Sequence, residues 1–344
     1  MAEYASNQRL GFFNAVEKIA IVGAAGTIGA HITASLLESG RHTITALSRK
    51  GSPNKLPAGV AVAAVDYGDE AGLVAALRGQ QFLIITLAPM APRETHGQLV
   101  RAAAKAGVRY VMPNSYGGDN ADSRMGEDVM LGPAARAQRA EIEALGMSWV
   151  NVCCGFWYDY SLGGGEARFG FDLDRRALTL YDEGTTRTST TTLAQVGRAV
   201  AAVLALPLDD NSNNNNNNNG DDARPTLSSF LNRSIYIKSF VVSQADMLAS
   251  VQRVTGTTDA DWTVTREPTR QRYHDGLALV RQGNMAGFGK MLYARAFYPE
   301  DALDVSAKAH NELLGLPQED LDEATRDAMA LAGVLKQRAE RMAN

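Results

Sequence analysis

Cysteine is almost absent from this chain: its 344 residues include two, Cys153 and Cys154, which excludes a disulfide framework. The two are adjacent in the apolar stretch Val152-Cys153-Cys154. They read as buried strand residues rather than as a vicinal redox pair. Basic charge is not in excess either, since 34 Lys and Arg face 38 Asp and Glu, for a formal net charge of −4. This argues against nucleic acid as the main partner, because neutralising phosphates needs a basic face. A small anionic ligand needs only a local site. No apolar run approaches a membrane span, and Met1 to Phe13 is polar, without the apolar stretch of a secretory signal. The expected setting is reducing, cytoplasmic and off the membrane, with a monomer or homodimer acting on a small-molecule substrate.

Several catalytic signatures are missing. No Tyr is followed four residues later by Lys, so the usual short-chain dehydrogenase pair is absent. There is no G-x-S-x-G elbow, no H-E-x-x-H and no P-loop. The five histidines, His31, His42, His96, His274 and His310, are scattered, and no metal site is expected.

What is present is an alternation. Strand-like runs over 18–22, 42–47, 60–65, 82–87, 108–112 and 149–153 are separated by helical periodicity over 27–39, 69–78, 95–106 and 133–145. Parallel βαβ units follow, and with them a Rossmann-type, doubly wound α/β sheet whose ligands bind beyond the carboxyl ends of the strands. Three regions are expected: an N-terminal extension over 1–17, a nucleotide-binding domain over 18–160, and a mixed, mainly helical substrate region over 161–344. In that last region a helix is expected over 193–206, a strand over 235–240 and further helices over 270–281 and 285–293. Ser243 and Asp246 form a capping-box pattern before another helix. The tract Asp209 to Asp222, with the unbroken run Asn213 to Asn219, cannot bury apolar surface and reads as a disordered surface insertion.

The first strand runs into Gly23-Ala-Ala-Gly26-Thr-Ile-Gly29. Glycines so placed allow a tight turn, close approach of backbone to a pyrophosphate and close packing of helix on strand, with the helix amides facing the anion. Ala25, Thr27 and Ile28 lie within the same loop. The second strand ends Ser48-Arg49-Lys50, a hydroxyl and two cations where an NAD site places a carboxylate. That suits a ribose 2′-phosphate, and NADP(H) is the expected cofactor. Asp66 and Tyr67 follow the third strand, where a carboxylate meets either the adenine amine or the next helix as its cap. Leu87, Ala88 and Pro89 follow the fourth strand and are expected to run under the dinucleotide.

The loop after the fifth strand, Pro113-Asn114-Ser115-Tyr116-Gly117-Gly118, is expected near the reacting end of the cofactor. Asn114 joins the expected cofactor contacts. Ser115 and Tyr116 are the candidate catalytic hydroxyls, Tyr116 as a proton donor; an Asx- or Ser-stabilised turn is the competing reading. After the sixth strand, Phe156, Trp157 and Tyr158 are candidate walls of a substrate pocket, with plain core residues as the alternative.

The GAAGTIG start, the SRK turn, the VMPNSYG loop and the segment GFWYDYSLGGG (Gly155 to Gly165) together resemble the NmrA-like, isoflavone-reductase-like proteins, most of all their fungal CipA-like branch. The resemblance spans about residues 10 to 335, interrupted by the asparagine tract. It implies an atypical short-chain dehydrogenase fold with NADP(H) at Gly23, Gly26, Gly29, Arg49 and Lys50. It also implies a reductase of a small aromatic or carbonyl metabolite, as in fungal secondary metabolism. Plant members use a Lys in the helix before the sixth strand; here that position is Ala135, with Arg136 beside it. Arg136 is left as a group that orients or polarises a carbonyl, since a guanidinium stays protonated. The missing Lys keeps a second expectation open, a non-catalytic NADP(H) sensor.

Overall fold

The computed structural model describes residues 14–53, 55–88, 91–209 and 225–343. The N-terminal extension up to Phe13, Pro89, and the asparagine tract beyond Asp209 lie outside the described residues.

The chain begins β1 (Lys18–Val22), α1 (Thr27–Ser39), β2 (Thr43–Arg49), β3 (Val60–Val65), α2 (Glu70–Leu77), β4 (Phe82–Ile85), α3 (Glu94–Ala106) and β5 (Tyr110–Met112). It continues with β6 (Tyr116–Gly117), α4 (Arg124–Asp128), α5 (Gly132–Ala144) and β7 (Ser148–Cys153). One more strand, β12 (Arg233–Tyr236), joins from far along the chain. The sheet order is β12-β7-β5-β4-β1-β2-β3, with β6 beside β7. All of its pairings are parallel. The order reverses between β1 and β4, which places a crevice at their carboxyl ends.

Alternation along the strands sorts side chains to two faces. Ile19, Ile21, Val150 and Val152 pack with Ile28 and Ile32 of α1 and with Val196 and Val200 of α7 (Leu193–Leu204). Ala20, Val22, Leu83 and Ile85 pack with Leu73, Leu99, Ala103 and Ile142 of α2, α3 and α5. Both faces are covered, so β4 is buried along its whole length. Burying each such Leu or Ile stabilises by roughly 1.5–3 kcal/mol. α1 and α3 stop at Gly40 and Gly107, both left-handed, a conformation glycine adopts without a Cβ penalty.

The rest of the chain is mixed and mainly helical, as expected, with short strands among the helices. Two three-stranded sheets occur there: β9 (Phe171–Asp172), β10 (Ala177–Tyr181) and β14 (Thr263–Glu267); and β8 (Phe156–Trp157), β11 (Thr188–Thr191) and β13 (Phe240–Val242). Helices α6 (Tyr158–Leu162), α8 (Gln244–Thr255), α9 (Thr269–Arg281), α10 (Ala286–Ala296) and α11 (Leu321–Ala343) accompany them. The strand expected over 235–240 is two strands in two sheets. After Tyr236 the backbone leaves the main sheet, with Ile237 N–H still donating to Cys153 O at 2.9 Å and Ser239 N–H to Thr190 O at 2.8 Å. The Ser243/Asp246 capping box is present at the start of α8. β12, from beyond residue 160, forms the edge of the main sheet, and α7 packs against α1. A second core, around Phe169, Phe171, Met247 and Phe297, belongs to the later segments.

Candidate functional site

A cavity of about 930 Å³ opens at the crevice between β1 and β4. Its floor is the glycine loop. Gly23 has φ +79°, and a Cβ there would lie 2.0 Å from Thr86 O. A Cβ on Gly29 would lie 2.1 Å from Gly23 O. Both glycines are demanded by protein packing alone. Gly26 differs: a Cβ there meets only Gly23 O, at 3.1 Å, and otherwise faces open space. Gly26 is also the N-cap of α1, with no side-chain cap and no acidic residue in the first turn. The amides of that turn are thus left to an outside anion. A glycine kept where the protein itself leaves room, beside uncapped amides, fits a pyrophosphate.

The walls come from the ends of neighbouring strands. Ser48, Arg49 and Tyr67 line one end, and Arg49 is the only charged side chain among the described lining residues. Burial pushes the Tyr67 phenol up, opposed by the Arg49 guanidinium. Thr86 Oγ1 donates to Val22 O at 2.7 Å, tying β4 to β1. Asn114 braces the loop after β4: its Oδ1 accepts from Leu87 N–H at 3.0 Å and its Nδ2 donates to Leu87 O at 3.3 Å. Leu87 and Ala88 line the cavity between them.

The other end is built from Asn114, Ser115, Tyr116 and Asn120 after β5, Ala134, Ala135 and Gln138 on α5, and Trp157 and Tyr160 after β7. Trp157 meets Tyr160 edge to face at 5.7 Å, and the Arg168 guanidinium lies 4.0 Å over the Tyr160 ring. Tyr116 is buried, and its hydroxyl has no hydrogen-bond partner among the described residues. Burial, and then Cys154 beside it, raise its phenol pKa, so Tyr116 holds its proton. Cys154 is itself raised to about 12 by burial, in keeping with an inert strand residue.

Several expected residues are placed elsewhere. Arg136 points off the cavity: its guanidinium is bonded to the Glu127 carboxylate and to Ala121 O. The α5 face that meets the cavity carries Ala134, Ala135 and Gln138, and Arg136 lies on another face. Phe156 stacks on Tyr293 at 4.0 Å and 11°, inside the second core. Tyr158 is buried there too, its hydroxyl 2.7 Å from Thr325 Oγ1. Lys50 and Asp66 are not among the lining residues. Asp66 Oδ1 accepts from Gly68 N–H at 2.9 Å, closing a turn, and the cap of α2 is Asp69.

The lining residues that were not anticipated include Thr95, Asn120, Gln138 and Tyr160. Gln138 is three residues beyond Ala135, so helical spacing alone puts it on the same face. Tyr160 is three beyond Trp157, a signal that reading Tyr158–Leu162 as helix provides. Thr95 and Asn120 give no local signal. Among the described residues no cluster of His, Cys, Asp and Glu is arranged to hold a metal, and no helix is long and apolar enough to cross a membrane.

The family model described as NAD(P)H-binding matches residues 23–207, from the first glycine of the loop to just beyond α7. Oxidoreductase aprR of Aspergillus flavus is 29% identical over 329 residues, covering 93% of this chain and 99% of its own length. AtPrR2, solved with NADP+ and (+)-pinoresinol, superposes with a TM-score of 0.68 at 16% identity, covering 91% of this chain and 99% of that one. An isoflavone reductase superposes with a TM-score of 0.65 at 20% identity over the same shares. The chain belongs to the NAD(P)H-binding family and shares the fold of the isoflavone reductase.

Proposed function

We propose that this protein is an NADPH-dependent reductase of a small, uncharged aromatic or carbonyl metabolite. The observation that carries this reading is the asymmetry of one cavity, with a glycine-and-arginine end and an aromatic end that has no charged lining residue and holds an unpartnered phenol. Gly23, Gly26 and Gly29 present the α1 amides to the pyrophosphate, and Ser48 and Arg49 take the 2′-phosphate. NADPH, when bound, supplies the hydride. Trp157 and Tyr160 wall the substrate, Gln138 and Asn120 offer it hydrogen bonds, and Ser115 and Tyr116 serve its oxygen. Tyr116 keeps its proton because it is buried, and a buried hydroxyl left unbonded costs about 1–3 kcal/mol. A substrate oxygen that accepts from it recovers that cost and takes the proton as charge develops. AtPrR2 holding NADP+ together with an aromatic ligand, and the name of the Aspergillus relative, support the same reading.

The test is Tyr116→Phe beside Tyr160→Phe. Tyr116→Phe is expected to lower turnover by about a hundredfold or more, to leave NADPH affinity unchanged and to leave stability unchanged or raised. Full turnover in Tyr116→Phe with loss in Tyr160→Phe moves the donor across the cavity.

One observation favours a second reading, a sensor that binds NADP(H) without turnover. Ala135, at the position where the resemblance puts a Lys, lines the cavity with a methyl group. No NADPH consumption across a panel of quinones, enones and aryl ketones, with a cofactor-dependent change in a partner's binding, selects that reading.

A further inference from the structure

The sheet face that carries α2, α3 and α5 is not covered out to its edge. On β7 and β12, Asn151, Cys153, Ser234 and Tyr236 alternate with Val150, Val152 and Ile235, which face the apolar core. The first set is polar, and beyond α5 it opens into a pocket of about 550 Å³ lined by Asp122, Arg139, Trp149, Asn232, Arg233, Ser234, Tyr236, Lys308 and His310.

This pocket has a charge sign. Arg139, Arg233 and Lys308 contribute three cations against the single lining carboxylate of Asp122, in a chain whose formal net charge is −4. Asp122 is already paired with Arg139, which also donates to Ser234 Oγ at 3.1 Å, reaches Asp119 at 3.4 Å and lies 4.3 Å over the Trp149 ring. Arg233 and Lys308 have no carboxylate partner among the described residues; Lys308 Nζ rests 4.9 Å over the Tyr236 ring. His310 Nδ1 accepts from Tyr236 N–H at 3.1 Å, so a neutral His310 carries its proton on Nε2, a third donor. The same wall is aromatic. His310 stacks on Tyr236 with 16° between planes and lies edge-on to Phe230 at 5.5 Å.

We propose that this pocket is a second ligand site, for a small aromatic anion. Two unpaired cations and an imidazole donor hold the charge, and the rings of Trp149, Tyr236 and His310 hold the plane. Its volume lies within the range of small-molecule sites, roughly 300–1,000 Å³. It is separate from the cofactor cavity, with which it has no lining residue in common. The two sites share one loop. Tyr236 Oη donates to Asp119 at 2.5 Å, while the adjacent Asn120 lines the cofactor cavity.

The experiment is a calorimetric titration of the whole protein, saturated with NADP+, with benzoate and separately with inorganic phosphate at constant ionic strength. Saturating NADP+ fills the phosphate-binding end of the other cavity, so the result does not depend on whether the protein is a reductase. Benzoate is expected to bind saturably and more tightly than phosphate. The double variant Arg233→Gln/Lys308→Met, exposed at both positions, is expected to bind benzoate about tenfold more weakly with NADP+ affinity unchanged. No saturable benzoate binding below about 10 mM, or equal binding by the double variant, overturns the site. Phosphate binding as tightly as benzoate overturns its aromatic character.

Discussion

The two ends of the cofactor cavity are built by different means. The dinucleotide end is backbone: uncapped amides of α1, a glycine that leaves room at Gly26, and two glycines that let β1, α1 and β4 close up. The far end is side chain, assembled from the loop after β5, one face of α5 and the start of α6. An invariant partner such as a pyrophosphate can be met by amides that every residue carries. A variable substrate needs chosen side chains, and these come from segments brought together only by the fold.

The sharpest break in that comparison is a pair of glycine variants. Gly23→Ala puts a methyl 2.0 Å from Thr86 O at φ +79° and is expected to cost about 3 kcal/mol or more, seen as a large fall in Tm. Gly26→Ala leaves the fold intact and is expected to lose NADPH binding, because its methyl occupies the ligand's space. Equal Tm losses in both would remove the distinction between packing glycine and ligand glycine.

Asp159 anchors the aromatic end. Its carboxylate accepts from Tyr160 N–H at 3.0 Å and from Leu193 N–H at 3.0 Å, linking the aromatic end to the first residue of α7. Burial raises its pKa to about 6, against backbone hydrogen bonds that lower it. A carboxyl raised on folding binds its proton more tightly in the folded state. Its stabilisation is therefore present below about pH 4 and is lost as pH rises through about 6. Asp159→Asn is expected to lack that loss, so the wild type should fall relative to the variant by on the order of 2 kcal/mol across this window. Urea unfolding at a series of pH values checks it; parallel curves would mean that Asp159 titrates alike in both states.

A smaller effect is expected at Arg49. Arg49→Ala should reduce the preference for NADPH over NADH by about tenfold to a hundredfold, and titration with both cofactors measures it. An unchanged ratio would leave Ser48 and the amides to make the choice. The smallest effect is expected at Arg136, exposed and paired with Glu127 away from the cavity. Arg136→Ala should keep turnover within about twofold and stability within about 0.5 kcal/mol. A large loss of turnover would put Arg136 back into the chemistry.

The difference between the ends also explains what could be read beforehand. A strand, three glycines and a helix are contiguous, so the parallel βαβ alternation and the glycine loop followed from local pattern. Ser48, Arg49 and Tyr67 followed from their place at strand ends, although Lys50 and Asp66 at the same ends do not line the cavity. The segment from Phe156 to Tyr160 misled because two residues of strand pass straight into a helix. The alternation sends Phe156 and Tyr158 into the second core and leaves Trp157 and Tyr160 on the cavity. Arg136 was drawn in by its neighbour in sequence, but adjacent residues on a helix point about 100° apart. The pocket beside Tyr236 had no local signature, since its residues lie on α5, β7, β12 and the segment around His310.

The edge position of β12 has a consequence in time. During synthesis β1 to β7 leave the ribosome together, whereas Arg233 to Tyr236 follow only after α6, β9 to β11 and α7. Through that interval β7, largely apolar and buried in the finished protein, presents an open edge able to pair with another nascent chain. Completion of the sheet is a late, long-range event, of the kind that slows folding.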